Sequence, residues 1–187
     1  MRISRFIWLL GLIALMASGC KASKEDVVKE WKESEAALTS YSTKYAAFAT
    51  VLKSTHATQK KLFDEAGKGK GDVEKMKAAH KGLRVALDPI SNYEKKAARI
   101  RSLYNNKNVR RNPGFKVRAA RDKADKKLAE AAGIVAGAAE ITSVAALTAP
   151  FVQASGLLQQ SLDTLERLRR KGKPKKKFRK KKKKKRK

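Results

Sequence analysis

Apolar residues recur at alternating spacings of three and four through much of this chain, and this periodicity constrains the fold more than any other feature. One series comprises Val27, Trp31, Ser34, Leu38, Tyr41, Tyr45, Phe48, Leu52, Thr55, Gln59 and Leu62. A second comprises Met76, Ala79, Leu83, Ala86, Ile90, Tyr93, Ala97, Ile100 and Tyr104. Residues three and four apart lie on one face of an α-helix. The pattern therefore predicts two long helices, one over residues 24–66 and one from Asp72 to about Asn105, each with one apolar face.

The residues at the predicted ends of these helices are of types that commonly begin or end a helix. Ser23 and Asp72 have side-chain oxygens that cap helix N-termini. The segment Gly67–Gly71 predicts a turn, because glycine readily adopts the left-handed backbone that follows a helix. Its alternation of glycine and lysine lacks the spacing and the preceding strand of a phosphate-binding loop. Pro89 predicts a kink near residues 86–88 of the second helix.

A third helix is predicted from about Phe115, with a break at Pro150. Its first part is charged, whereas residues 131–162 contain a single charged residue and are rich in alanine. Three interpretations of this apolar stretch are open. It is a central helix that is buried all round and in which Gly133 and Gly137 permit close approach, or a transmembrane helix, or an interfacial helix. The first interpretation is favoured, because alanine gains little in lipid. The expected fold is all-α, an elongated antiparallel bundle of three long helices with a disordered polybasic tail.

The first twenty residues have the order of a secretory signal. Two arginines precede an uncharged apolar run over residues 6–16, which is shorter than the roughly 20 residues of a spanning helix. Small residues then lead to Cys20. The ending Ala17-Ser18-Gly19-Cys20 resembles the lipobox of bacterial lipoproteins. The resemblance implies that residues 1–19 are removed and that Cys20 receives diacylglycerol and a further acyl chain, such as palmitate, which attach the protein to a membrane.

The residues around the expected cleavage site also indicate the compartment. Cys20 is the only cysteine, so no disulfide is expected. In the enterobacterial sorting pattern an Asp after the lipidated cysteine retains a lipoprotein in the inner membrane. Lys21 stands at that position, which implies delivery to the outer membrane. We expect a lipid-anchored envelope protein with a mature helical domain over residues 20–171 and a tail over residues 172–187.

Positive charge dominates the composition, above all in the tail. The chain has 46 Lys and Arg against 17 Asp and Glu, a net charge of +29. Like charges at the density of the tail repel one another, so this segment is predicted to be disordered and to bind polyanions in a salt-dependent manner. Lipopolysaccharide, anionic glycans, DNA and anionic lipid are all candidate partners, and a tail that only confers solubility is the alternative. The expected contacts are Lys173, Lys175, Lys176, Lys177, Arg179, Lys180, Lys181, Lys182, Lys183, Lys184, Lys185, Arg186 and Lys187.

A second basic stretch connects the second and third predicted helices. No acidic residue occurs between Glu94 and Asp122. The stretch is interpreted either as a solvated loop or as a contact for lipid headgroups or phosphate. Its candidate contacts are Lys107, Arg110, Arg111, Lys116 and Arg118. Three full-length helices would place this loop and the tail at opposite ends, on the order of 60 Å apart, whereas a chain reversal at Pro150 would bring the tail part of the way back.

Residues for other chemistry are few. His56 and His80 each lie one position from an apolar series, so both are predicted to border the core and to lie near each other if their helices are antiparallel. Two histidines without cysteine or clustered carboxylates do not indicate a metal site. No nucleophile motif, phosphate-binding motif or carboxylate pair indicates catalysis, so we expect neither enzymatic activity nor a cofactor.

An alternative function uses residues 131–162 as a second membrane segment. A lipid at one end of the chain and a membrane helix at the other would be similar in topology to the single-chain spanins of phage, which bridge and disrupt two membranes. The resemblance covers topology only. The favoured expectation is a non-enzymatic envelope lipoprotein that binds anionic polymers or scaffolds the surface.

Overall fold

The structure, a computed structural model, describes residues 23–69, 71–106, 115–138 and 141–171; the side chains of residues 115, 116 and 171 lie outside this description. Within these ranges every regular element is helical, which confirms the all-α class. The elements are α1 (Lys24–Lys44), a short 3-10 helix (Ala46–Phe48), α2 (Ala49–Ala66), α3 (Val73–Tyr104), α4 (Phe115–Ala136) and α5 (Val144–Lys171). The chain divides into two compact units between Leu87 and Asp88, within α3. Unit 1 denotes the described residues up to Leu87, and unit 2 those from Asp88 onward.

In unit 1 the single helix predicted over residues 24–66 is a helical hairpin. The ring of Trp31 stacks on that of Phe63, with centroids 4.3 Å apart. Lys24 Nζ donates a hydrogen bond of 2.8 Å to the carbonyl oxygen of Gly67. Contacts between the start of α1 and the end of α2 require that the two helices run antiparallel. The prediction of one continuous helix is wrong, because folding back lets the two halves of the apolar series bury each other.

The reversal occurs at Tyr45, where no glycine or proline marks it. Tyr45 leaves the helical backbone, with φ −123° and ψ 71°, and Phe48 is then only 1% exposed. The preceding turn is rich in hydroxyl residues, and Thr39 and Thr43 each donate a side-chain hydrogen bond of 3.1 Å to the carbonyl four residues earlier. Such bonds compete with regular helix geometry, so this helix ends where the burial of Phe48 favours a turn.

The interruption also shifts the phase of the apolar face in α2. The predicted series ends at Leu62, but Leu62 is 50% exposed and Phe63 only 6%. Because the 3-10 helix has about three residues per turn, α2 begins at a different rotation from the one that an unbroken helix would give. Phe63 therefore takes the core position against Trp31.

The predicted helix caps and turn are confirmed. The Ser23 hydroxyl accepts a hydrogen bond from the Asp26 backbone N–H, and an Asp72 carboxylate oxygen accepts one from the Lys75 N–H. Between α2 and α3, Gly69 and Gly71 have positive φ angles of 61° and 74°. The Asp72 N–H closes the turn on the carbonyl oxygen of Ala66 at 2.7 Å.

The apolar face predicted for α3 is confirmed. Its buried members are Met76, Ala79, Leu83, Ala86, Ile90, Tyr93, Ala97 and Ile100, while Tyr104 is half-buried. Pro89 lies inside the helix, which continues on both sides of it. Proline removes the hydrogen bond that residue 89 would donate to Val85. The kink near residues 86–88 stays a prediction.

Unit 2 packs α4 and α5 with the second half of α3. Tyr93 meets Phe151 edge to face, with centroids 5.8 Å apart, and Lys96 Nζ donates to the Ser155 carbonyl oxygen at 3.2 Å. The predicted break near Pro150 is wrong in position. It lies between Gly137 and Ser143 instead, so Pro150 falls in the second turn of α5, which continues through it.

Local chemistry explains where that break lies. Gly137 N–H donates to the Gly133 carbonyl oxygen at 2.8 Å as α4 ends. The Ser143 hydroxyl accepts from the Ala146 N–H at 3.1 Å and caps α5. The serine cap and the glycine terminus place the helix ends on either side of residues 138–142. Pro150 lies inside α5, where it removes one backbone hydrogen bond and crowds the carbonyl of residue 146, but the helix continues through it.

The apolar stretch 131–162 is therefore divided between α4 and α5, and it is not buried all round. Phe151 is buried while the adjacent Val152 is 59% exposed. Gly133 is exposed, and a Cβ at this position would meet no atom within 4 Å, so the glycines do not bring two helices close together. In the described part of the chain, no helix is both long and apolar enough to cross a membrane.

Candidate anion-binding surface

Three helix termini of unit 2 lie together: the C-terminus of α3, the N-terminal part of α4 and the C-terminus of α5. Arg99 of α3 donates two hydrogen bonds to Glu166 of α5. The hydroxyl of Tyr104, the last residue of α3, donates to the carbonyl oxygen of Arg121 in α4 at 3.4 Å. We call this region, from residues 99–106, 117–121 and 166–170, the basic end of unit 2.

The basic end carries exposed arginines from all three helices. Arg101 of α3, Arg118 of α4 and Arg167 of α5 are exposed, and the side chain of Arg170 is 74% exposed. The half-buried Glu166 is an acidic residue within this group, 3.9 Å from a guanidinium nitrogen of Arg170. Asp122 and Asp125 of α4 also lie near Tyr104. Seven arginines, at positions 99, 101, 118, 121, 167, 169 and 170, outnumber these three carboxylates, so the net charge where the helices terminate is positive.

Tyr104 and Arg121 hold the junction between α3 and α4. The Arg121 guanidinium lies 5.4 Å from the centroid of the Tyr104 ring, within cation–π range. Burial and the neighbouring Asp125 carboxylate raise the pKa of Tyr104 above its ordinary value. The phenol therefore stays neutral at physiological pH. It acts as a hydrogen-bond donor that joins two helices.

The structure places only part of the predicted site. Arg118 is exposed on α4 as a member of the basic end, and the side chain of Lys116 lies outside the described residues. Also outside them are the lipidation residue Cys20, the sorting residue Lys21 and the loop residues Lys107, Arg110 and Arg111, together with the tail contacts Lys173, Lys175, Lys176, Lys177, Arg179, Lys180, Lys181, Lys182, Lys183, Lys184, Lys185, Arg186 and Lys187.

Connectivity nevertheless relates these segments to the basic end. The chain enters residues 107–114 after α3 and leaves them at the start of α4, and it enters residues 172–187 at the end of α5. Both basic segments are therefore joined to the same end of unit 2. The expectation of opposite ends for loop and tail is wrong within this unit, because the reversal between Gly137 and Ser143 makes α5 run back alongside α4.

Sequence reasoning missed the arginines that the folded helices contribute. Arg101, Arg121, Arg167 and Arg170 were assigned no role, since each lies within a helical segment that also contains apolar residues. The available signal was the distribution of acidic residues, which are absent between Glu94 and Asp122 and after Glu166. Charge along a helix shows which segments are basic, but only packing shows that these segments share an end.

Unit 1 brings both histidines to one aromatic residue. The ring centroid of Trp31 lies 5.8 Å from that of His56 and 6.3 Å from that of His80. His80 Nε2 is 2.8 Å from the Ser34 hydroxyl, and its Nδ1 is 3.5 Å from the Glu30 carboxylate. The prediction that both histidines border the core is confirmed. Among the residues described, no three His, Cys, Asp or Glu side chains form a group that could hold a metal ion.

The carboxylate of Glu35 connects the two helices of the hairpin. Its Oε1 lies 2.9 Å from His56 Nε2. Burial raises the pKa of Glu35, but the hydrogen bond with His56 and the charge of Lys60 outweigh that effect, so the pKa lies below its ordinary value. The arrangement stabilises the hairpin through an ionised carboxylate, which is a structural role.

Comparison with known proteins adds no assignment. No protein-family model, no curated protein and no solved structure matches this chain. Its function is therefore inferred from its own residues and their geometry.

Proposed function

We propose that this chain is a lipid-anchored protein of the bacterial cell envelope that binds polyanions and catalyses no reaction. Cys20 is the proposed lipid attachment site, and Lys21 directs the protein to the outer membrane. Residues 172–187 form a tail that is disordered until it binds lipopolysaccharide, an anionic glycan, DNA or anionic lipid. The observation that carries the proposal is the basic end of unit 2, from which this tail departs.

Charge density supports a polyanion as the partner. Residues 171–187 contain fourteen basic residues and no acidic residue. Each cationic contact with a polyanion releases a counterion, so the affinity falls steeply as salt increases. Because the tail starts beside Arg167 and Arg170 of α5, a polyanion bound along the tail extends onto a folded surface that is positively charged like the tail. A tail that served solubility alone would not need such a surface.

Binding measurements test the polyanion function. The mature chain, residues 20–187 with Cys20→Ser, is compared with a variant that lacks residues 173–187, against lipopolysaccharide, an anionic glycan, duplex DNA and anionic vesicles at two salt concentrations. We expect the deletion to weaken binding to at least one of these polyanions by more than tenfold and to reduce its salt dependence. Affinities that do not change on deletion would contradict the proposal.

A labelling experiment tests the anchor separately. The full chain expressed in a bacterial host is expected to incorporate labelled palmitate, and Cys20→Ser should abolish incorporation. Lys21→Asp should move the labelled protein from the outer to the inner membrane fraction in a host with the enterobacterial sorting pattern. A full chain that incorporates no label would rule out lipidation at Cys20.

A further inference from the structure

We propose that the basic end of unit 2 is itself a binding surface for the phosphate groups of an anionic bilayer, in addition to the contact made by the tail. The inference rests on the proposed function, since the lipid on Cys20 is what holds the chain at a membrane. It extends to Arg101 and Arg167 a role that the sequence gives only to the tail, the loop and Arg118.

The geometry supplies cations from three separate helices. Arg101, Arg118 and Arg167 are exposed on α3, α4 and α5 respectively. The helices that carry them are joined near these residues by the bonds from Arg99 to Glu166 and from Tyr104 to Arg121. The three guanidinium groups therefore start from a fixed scaffold. Guanidinium binds phosphate through two parallel hydrogen bonds, and the packed helices fix the backbone positions from which the three arginines extend.

The same observations favour a bilayer over a nucleic acid. Single-stranded nucleic acids are bound by stacking their bases on exposed aromatic side chains. The aromatic residue described at the basic end is Tyr104, which is half-buried and engaged by Arg121. The arginines are spread over the ends of three helices. The major groove of a duplex admits a single helix, so this broad surface is not suited to it.

Local concentration points in the same direction. A covalent lipid converts binding to the host membrane into an intramolecular event with a high effective concentration. Each Lys or Arg near an anionic bilayer contributes about 1 kcal/mol at physiological salt, which corresponds to roughly fivefold in binding. Three arginines on a folded surface, added to a tail that binds the same bilayer, therefore make a measurable contribution.

Vesicle partitioning of the unacylated protein tests the inference. The mature chain with Cys20→Ser is mixed with phosphatidylcholine vesicles that contain or lack phosphatidylglycerol, and with duplex DNA as a separate arm. The test variant is Arg101→Gln, Arg118→Gln, Arg167→Gln, made with the tail present and with residues 173–187 deleted. The control is Lys32→Gln, Lys53→Gln, Lys61→Gln, which removes the same charge from exposed positions of unit 1. Circular dichroism and urea unfolding confirm that each variant is folded.

The expected result is a loss of partitioning to phosphatidylglycerol vesicles of roughly fivefold for each arginine removed, most evident without the tail, against a much smaller loss for the lysine control. Equal losses in the two triple variants would overturn the inference. A loss that appears with DNA but not with vesicles would overturn the assignment to a bilayer. Failure of the proposed function can be distinguished from failure of this inference. It appears as an affinity that tail deletion does not change, or as a lack of palmitate incorporation, and neither result depends on the three arginines.

Discussion

Arg99 Nε and Nη2 both donate hydrogen bonds to Oε1 of Glu166, at 3.2 and 3.1 Å. The pair joins α3 to α5 near the point where the chain enters the tail. The same carboxylate lies 3.9 Å from Arg170, so one acidic side chain serves two arginines. Glu166 therefore has two opposing effects, since it stabilises the fold of unit 2 and lowers the positive charge of its end.

The substitution Glu166→Gln separates these effects. We expect the free energy of unfolding to fall by about 1 kcal/mol or less, because the Arg99 side chain is partly exposed and such ion pairs contribute modestly. Binding to anionic vesicles should instead become several-fold tighter, since one negative charge is removed. Urea unfolding and vesicle partitioning measure the two quantities. Asp163→Asn, on the same helix without an arginine contact, should leave stability within about 0.5 kcal/mol; equal destabilisation by both changes would exclude a role for the ion pair.

The shifted phase of α2 is tested by two adjacent residues. Phe63→Ala should destabilise unit 1 by about 3–5 kcal/mol, because it removes the ring that packs against Trp31 in the core. Leu62→Ala should cost about 0.5 kcal/mol or less, because that side chain is already half exposed. Urea unfolding measures both. A larger cost at Leu62 than at Phe63 would indicate the unbroken helix that the sequence predicts.

Two glycines should respond oppositely to alanine. Gly133→Ala is expected to stabilise unit 2 by about 0.5–1 kcal/mol, since the position is helical and open, and alanine has the higher helix propensity. Gly71→Ala should destabilise unit 1 by about 1–2 kcal/mol, because its φ is +74° and the new Cβ would lie 3.0 Å from Lys24 Nζ. Thermal unfolding measures the change. Destabilisation at Gly133 would restore the idea that this glycine allows close helix packing.

The ionisation of Glu35 predicts how the hairpin responds to acid. The folded carboxyl has a pKa below its ordinary value, so it contributes stability above the unfolded pKa of about 4.3. This contribution is lost as the pH falls through the lower folded pKa. Glu35→Gln should therefore reduce stability by about 1 kcal/mol at neutral pH, and the difference from the unaltered chain should vanish in acid. Urea unfolding across this pH range measures it. Glu33→Gln, at an exposed position, should show no such pH-dependent difference.

The sequence predicted those parts of the fold that depend on local chemistry. The capping oxygens of Ser23 and Asp72 and the glycines after α2 act within a few residues, so the sequence alone locates the helix ends there. The buried face of α3 follows from helical periodicity in the same way. The reversal at Tyr45 depends instead on the burial of Phe48 and on the fit of Trp31 to Phe63, which are contacts between distant residues. No glycine or proline marks the turn, so the helical periodicity predicted one continuous helix across it.

The residues of the candidate site were likewise predictable from the sequence only in part. Charge can be counted along the chain, so the basic loop and Arg118 were found from the sequence. The contribution of Arg101 and Arg167 depends on α5 running back to the end of α3, and that depends on a reversal between Gly137 and Ser143 instead of at Pro150. A displacement of a few residues in one turn therefore changed which charged groups share a surface.

The bond from Lys24 to Gly67 has a consequence for how the chain folds during export. It joins residues 43 positions apart and brings α2 back to the start of α1. A chain exported from its N-terminus, as we propose, presents both ends of this hairpin while residues 88–171 are still behind the membrane. The hairpin lies wholly within residues 24–67, so it can fold as a unit before the later segments have crossed. The aromatic rings of Trp31 and Phe63 can then be buried before the apolar segments of α4 and α5 emerge. The translocating chain therefore exposes less aggregation-prone apolar surface at any one time.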